Sequence, residues 1–99
     1  MKQRIFDQYV DHVCELFNIS REKFFAMDRK TNRSEARHMV YYLCSKRPMS
    51  IANIQKCMKD NGCITVHSPI CYGISIASKR IRKDQDYADI ISEIKRLIR

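Results

Sequence analysis

Cys57, Cys63, His67 and Cys71 lie close enough along the chain to suggest a metal site, with spacing C-x5-C-x3-H-x3-C. Structural zinc sites usually pair their ligands more tightly, as C-x2–4-C and H-x3–5-H. Cys57 and Cys71 also fall near the apolar faces of their segments and can serve as small core residues, so no metal is expected. Nucleophilic chemistry has little support. His12 and Cys14 stand two apart on one helix and face different ways. Cys63 lies near basic residues, the setting a reactive thiol needs, but no base is spaced to activate it. The two glycines, Gly62 and Gly73, cannot build a phosphate-cradling GxxxxGK loop or a dinucleotide GxGxxG loop. The chain reads as a non-enzyme without a cofactor.

A second constellation suits recognition of a polyanion. The segment 28–83 holds twelve basic and three acidic residues, net +9, in a chain of net charge +8. Residues 1–27 are neutral and residues 84–99 carry net −1. A localised basic field favours phosphate, because each neutralised phosphate releases condensed counterions; the same charge would also keep a surface soluble. Within it, Arg29, Lys30 and Arg33 sit in the stretch Asp28-Arg-Lys-Thr-Asn-Arg33, which has no apolar residue and reads as an exposed basic loop. Such a loop can reach a minor groove or phosphates, or simply be solvated. Thr65, His67, Ser68 and Tyr72 gather hydrogen-bonding groups around the start of a later helix, whose outer side continues through Ser75, Lys79 and Lys83.

The elements that would position these residues are helical, because the apolar positions follow a helical period almost throughout. Ile5, Phe6, Tyr9, Val13, Leu16 and Phe17 share one face of a helix over 3–17, closed by Asn18. Ser20 caps a short helix carrying Phe24 and Phe25. Ser34 suits the N-cap of a helix reaching Ser45, with Ala36, Met39, Val40 and Leu43 inward and Arg37, His38, Tyr41 and Ser45 outward. Ser50 caps a helix carrying Ile51, Ile54 and Met58, and Gly62 can end it in the left-handed conformation. Ser68-Pro69 reads as N-cap and first helical residue of a helix reaching Lys83. On it Ile70, Ile74, Ala77 and Ile81 face inward, opposite Tyr72, Ser75, Lys79 and Lys83. A last helix from Asp86 turns Tyr87, Ile90, Ile91, Ile94, Leu97 and Ile98 inward. The expectation is an all-α bundle of six helices in one domain over 1–99. Its 50–83 portion is laid out as a helix-turn-helix, although the 62–67 connection exceeds the usual three or four residues.

The five cysteines form no framework, which suits reduced thiols in a cytoplasmic protein. No apolar stretch approaches the roughly 20 residues needed to cross a bilayer. Tyr41, Tyr42 and the last helix could support dimerisation or simply be core and surface.

Four segments in order resemble the DNA-binding domain of the bacterial replication initiator DnaA family. Ala36-Arg-His-Met-Val-Tyr-Tyr-Leu43 is similar to that family's core helix "ARQ-x-A-M-Y-L". Leu16-Phe-Asn-Ile-Ser20, followed by the basic 29–33 stretch, resembles its opening helix, turn and basic loop. Ser50-Ile51 with Ile54 resembles "S-L-P-E-I-G", the first helix of its helix-turn-helix. Val66-His-Ser-Pro-Ile70 falls where the family has "D-H-[ST]-T-V". The resemblance covers roughly residues 5–83. It implies a helix-turn-helix reading duplex DNA in the major groove, with the basic loop in the adjacent minor groove. His67 and Ser68 match the signature's histidine and first hydroxyl, and Arg33 or a neighbour matches the minor-groove arginine. The family's Arg-Asp before the histidine is Thr65-Val66 here, and its second threonine is Pro69. The implied role is sequence-preferring binding of double-stranded DNA in replication control or transcriptional regulation, near the nucleoid. A free-standing module without the family's ATPase would suit a phage or mobile element. The alternative is a protein-interaction module of the same fold, such as an adaptor, an inhibitor or a virion-associated component.

Overall fold

A computed structural model describes residues 2–26, 31–47 and 49–98. Six α-helices and no strand are found among them: α1 Lys2–Phe17, α2 Arg21–Phe24, α3 Thr31–Ser45, α4 Ile51–Asp60, α5 His67–Lys83 and α6 Gln85–Leu97. The all-α expectation therefore holds.

Local chemistry sets many of the helix ends. Ser20 Oγ accepts from the Lys23 N–H at 3.2 Å, and Ser50 Oγ accepts from the Asn53 N–H at 3.1 Å. Asp84 caps α6 through the Tyr87 N–H. Each cap satisfies one of the amides that a helix start leaves without an intrahelical partner. Two helices end in the same left-handed closure. Asn18 has φ 55° and Gly62 has φ 80°. The following N–H groups, of Ile19 and Cys63, reach back to the Cys14 and Met58 carbonyls at 3.0 and 2.9 Å. Asparagine and glycine are the residues that adopt this conformation most readily.

Helix α3 is the axis of the molecule and packs against all five other helices, most extensively against α5. The core gathers around it: Phe6, Tyr9, Val10 and Val13 from α1, Phe24, then Ile54 and Met58 of α4, Ile70 and Ala77 of α5, and Tyr87, Ile91 and Ile94 of α6. Fully burying one such large side chain is worth about 1.5–3 kcal/mol.

This central position corrects the reading of α3 as amphipathic. Arg37 is only 6% exposed, Tyr41 and Tyr42 are buried, and His38 is half-buried. Arg37 Nη1 donates to the Phe24 carbonyl at 3.0 Å, and Nη2 donates to Ser34 Oγ at 3.3 Å. A helix packed against five neighbours draws polar residues inward; Arg37 finds partners there, whereas His38 Nδ1 and Tyr41 Oη are buried with no hydrogen-bond partner among the described residues. The helix also begins at Thr31, so Ser34 lies inside it rather than capping it. Conversely, Leu16 and Leu97, expected inward, are exposed, while the residues after them, Phe17 and Ile98, pack on the core; each leucine sits at the edge of its helix's apolar face.

Arg21 ties the periphery together. Its guanidinium donates to Asp11 at 2.5 Å, to Asp7 at 3.3 Å and to Asn61 Oδ1 at 2.9 Å, linking α1, α2 and the end of α4.

Candidate nucleic-acid interface

Helix α5 begins one residue earlier than the Ser-Pro signal suggests. Its N-cap is Val66, with φ −98° and ψ 176°, and no side chain caps it. Ser68 therefore stands in the first turn and does not act as the cap. Pro69 becomes the third helical residue, where its missing N–H is one of the amides without an intrahelical partner anyway. The first turn holds no acidic residue.

The 61–66 connection is held from α4. Gln55 Nε2 donates to the Thr65 carbonyl at 3.1 Å, and Cys63 is buried beneath. This anchor fixes the chain entering α5. His67, Ser68, Tyr72, Ser75, Lys79 and Lys83 are all exposed, with Tyr72 at 62%, and Thr65 is half-buried. In helical register Ser68, Tyr72, Ser75, Lys79 and Lys83 form one stripe. Arg82, which the sequence reading passed over, lies on that stripe and is exposed. Its signal was its spacing, seven residues after Ser75 and three after Lys79.

The basic end of α5 is divided in two. Arg80 turns to α3, its Nη1 on Glu35 Oε1 at 2.8 Å and its guanidinium over the Tyr87 ring at 4.6 Å. Asp84 lies 3.6 Å from its Nε. Arg80 is thus a structural cation. Lys79, Arg82 and Lys83 have no ion pair among the described residues.

Arg29 and Lys30 lie outside the described residues. Arg33 is half-buried on the first turn of α3 and does not belong to a loop. The helix claims it because Thr-Asn-Arg-Ser continues directly into the apolar period of α3.

The stripe rests on a close approach between helices. Gly73 faces α3 so tightly that a Cβ there would stand 2.8 Å from His38 Cδ2 and 2.9 Å from Tyr41 Cδ2. His38 in turn meets Tyr72 edge-on, ring centroids 5.8 Å apart. Burial, and secondarily the Arg37 charge, pushes the His38 pKa below its ordinary value of 6.5. A histidine with a depressed native pKa binds fewer protons folded than unfolded. Its stabilising contribution is complete above about pH 6.5 and declines as pH falls below that value. Thermal melting between pH 7.5 and 5 should thus show an acid-side loss in the wild type that is smaller in His38→Gln. Equal losses in both would refute this role for His38.

The cysteine and histidine set does not converge. Cys57 and Cys63 are buried, whereas Cys71, expected in the core, is exposed with its Sγ 3.3 Å from His67 Nδ1. No group of three or more His, Cys, Asp or Glu side chains that could hold a metal ion occurs among the described residues. Burial raises the Cys63 pKa although the nearby Arg37 charge acts to lower it, the opposite of the lowered value that a reactive thiol has. No described helix is long and apolar enough to cross a membrane. A depression of about 380 Å³ between α1 and α6 is edged by Asp89 and Glu93, and their charge disfavours an anion.

The fold and this face define a small all-α protein that presents one helix with a hydrogen-bonding start and a basic end whose Lys79, Arg82 and Lys83 are exposed and in no ion pair among the described residues. Comparison with known proteins gives a particular likeness. The chain is 27% identical over 92 residues to the chromosomal replication initiator protein DnaA of Leptospira biflexa serovar Patoc, in the strains Patoc 1 / Ames and Patoc 1 / ATCC 23582 / Paris. The match covers 93% of this chain and 20% of each relative, so the chain spans about one fifth of the length of the curated relatives it matches. The likeness read from the four segments is thus also found by direct comparison. No family model and no solved structure matches the chain.

Proposed function

We propose that this protein binds double-stranded DNA, with α4 and α5 acting as a helix-turn-helix and α5 entering the major groove. The observation that carries the reading is the stripe from Ser68 to Lys83, whose Lys79, Arg82 and Lys83 are in no ion pair among the described residues. In that pose Lys79, Arg82 and Lys83 meet phosphates, while His67, Ser68 and Tyr72 approach base edges. The N–H groups of the first turn add donors for phosphate. Arg29, Lys30 and Arg33 would reach the neighbouring backbone or minor groove. The likeness to a replication initiator supports a role in replication control over one in transcriptional regulation. The reading further holds that binding is sequence-preferring, that no catalysis is involved, and that the protein works in the cytoplasm of a bacterial or phage-infected cell.

Selection of bound duplexes from a random pool, with wild type and His67→Ala side by side, tests the proposal. An enriched motif is expected from the wild type. His67→Ala should reduce discrimination between preferred and random duplex by about 1–3 kcal/mol at matched salt. Equal weakening on both duplexes would make His67 a positioning contact. A folded wild-type protein that binds no duplex at low salt would end the reading, and the protein-interaction module would take its place.

A further inference from the structure

We infer that Ile64 and Val66 form an apolar tip that reads the 5-methyl group of thymine. The inference rests on the DNA-binding reading above and names what part of the base that face recognises.

The two side chains are displayed together by the backbone. Residues 63–66 alternate as an extended segment does: Cys63 buried, Ile64 84% exposed, Thr65 half-buried, Val66 64% exposed. The Gln55 amide holds the Thr65 carbonyl, and Val66 is itself extended. Ile64 and Val66 therefore point to one side, immediately ahead of His67. Two branched apolar residues stand this far into water beside the hydrogen-bonding start of α5, on a chain held by the Gln55 amide, where they can meet an apolar group.

The charge pattern favours a base over a protein as the cover. From Asn61 to Ser78 there is no Asp, Glu, Lys or Arg, and then Lys79, Arg82 and Lys83 follow. Residues 67–78 of α5 make about 18 Å of uncharged helix, against a major groove about 12 Å wide. An uncharged leading end with cations held back suits a helix whose start lies over base edges and whose far end lies over phosphate. On that floor the thymine methyl is the apolar group, and it is read by apolar contact.

Random duplexes of A·T pairs, prepared either with thymine or with uracil, isolate the methyl group. Wild type should bind the thymine pool more tightly, by about fourfold for each methyl buried. The double variant Ile64→Ser, Val66→Ser changes only exposed positions, and serine is favoured at the N-cap that Val66 occupies. It should bind the thymine pool no better than the uracil pool. Equal wild-type affinity for both pools, with salt-dependent binding retained, would overturn the inference and leave DNA binding intact. A thymine preference that survives in the folded double variant would also overturn it. Binding to neither pool at low salt would overturn the DNA reading itself.

Discussion

Gly73→Ala is expected to lower the stability of this protein by about 1–2 kcal/mol, although alanine is the better helix former. Two effects oppose each other. Replacing glycine by alanine inside a helix is worth roughly 1 kcal/mol in propensity. Forcing an extra carbon into a filled interface typically costs about 1–3 kcal/mol. The new Cβ would lie 2.8 Å from His38 Cδ2 and 2.9 Å from Tyr41 Cδ2. Tyr41 is only 2% exposed and its ring cannot swing into solvent without leaving the core, so the steric cost should win. For a domain of this length the loss corresponds to a fall in Tm of roughly 5–15 °C. Gly73→Val should be worse, since its additional carbons meet the same rings. Part of the loss should disappear in His38→Ala, where one of the two obstructing rings is gone. A Gly73→Ala protein as stable as wild type would mean that α5 can stand farther from α3 without penalty.

Neutralising Lys79, Arg82 and Lys83 together as glutamines should weaken duplex binding at 0.1 M salt by roughly a hundredfold to a thousandfold. Each phosphate contact contributes about 0.9 to the slope of log affinity against log salt, so three contacts contribute about 2.7. The salt titration of the triple variant should be flatter by that amount, and its melting curve should match wild type, because none of the three is in an ion pair among the described residues. Arg80 must be left in place. Its link to Glu35 joins α5 to α3, and its loss would mix folding with binding. An unchanged slope in the triple variant would place the basic end of α5 away from phosphate.

What the sequence determined by itself is what neighbouring residues settle among themselves. Ser20 and Ser50 cap because a short hydroxyl reaches the amide three residues on. Asn18 and Gly62 end helices because the left-handed turn favours their backbones. The outer stripe of α5 followed from helical period alone, since a helix at the edge of a bundle is covered on one side and its polarity reports that side. Residue pattern also carried the likeness to DnaA, through four segments in a fixed order.

Only the tertiary structure decided how many sides of each helix are covered. Helix α3 carries Arg37, His38 and Tyr41 opposite Ala36, Met39 and Val40, the pattern of a surface helix, yet five neighbours surround it. Arg37 was absorbed by a partner distant in sequence, the Phe24 carbonyl, while His38 Nδ1 and Tyr41 Oη are buried with no hydrogen-bond partner among the described residues. Charge raised the same difficulty. Lys79, Arg80, Arg82 and Lys83 look alike in the sequence, but Glu35, forty-five residues before Arg80, takes that cation for the fold. Ser68 was misplaced because the chain starts α5 at His67, with Val66 as its N-cap, and Cys71, next to buried Ile70 but about 100° around the helix from it, is exposed. A period can tell which residues share a face; what lies opposite that face is set by contacts between residues far apart along the chain.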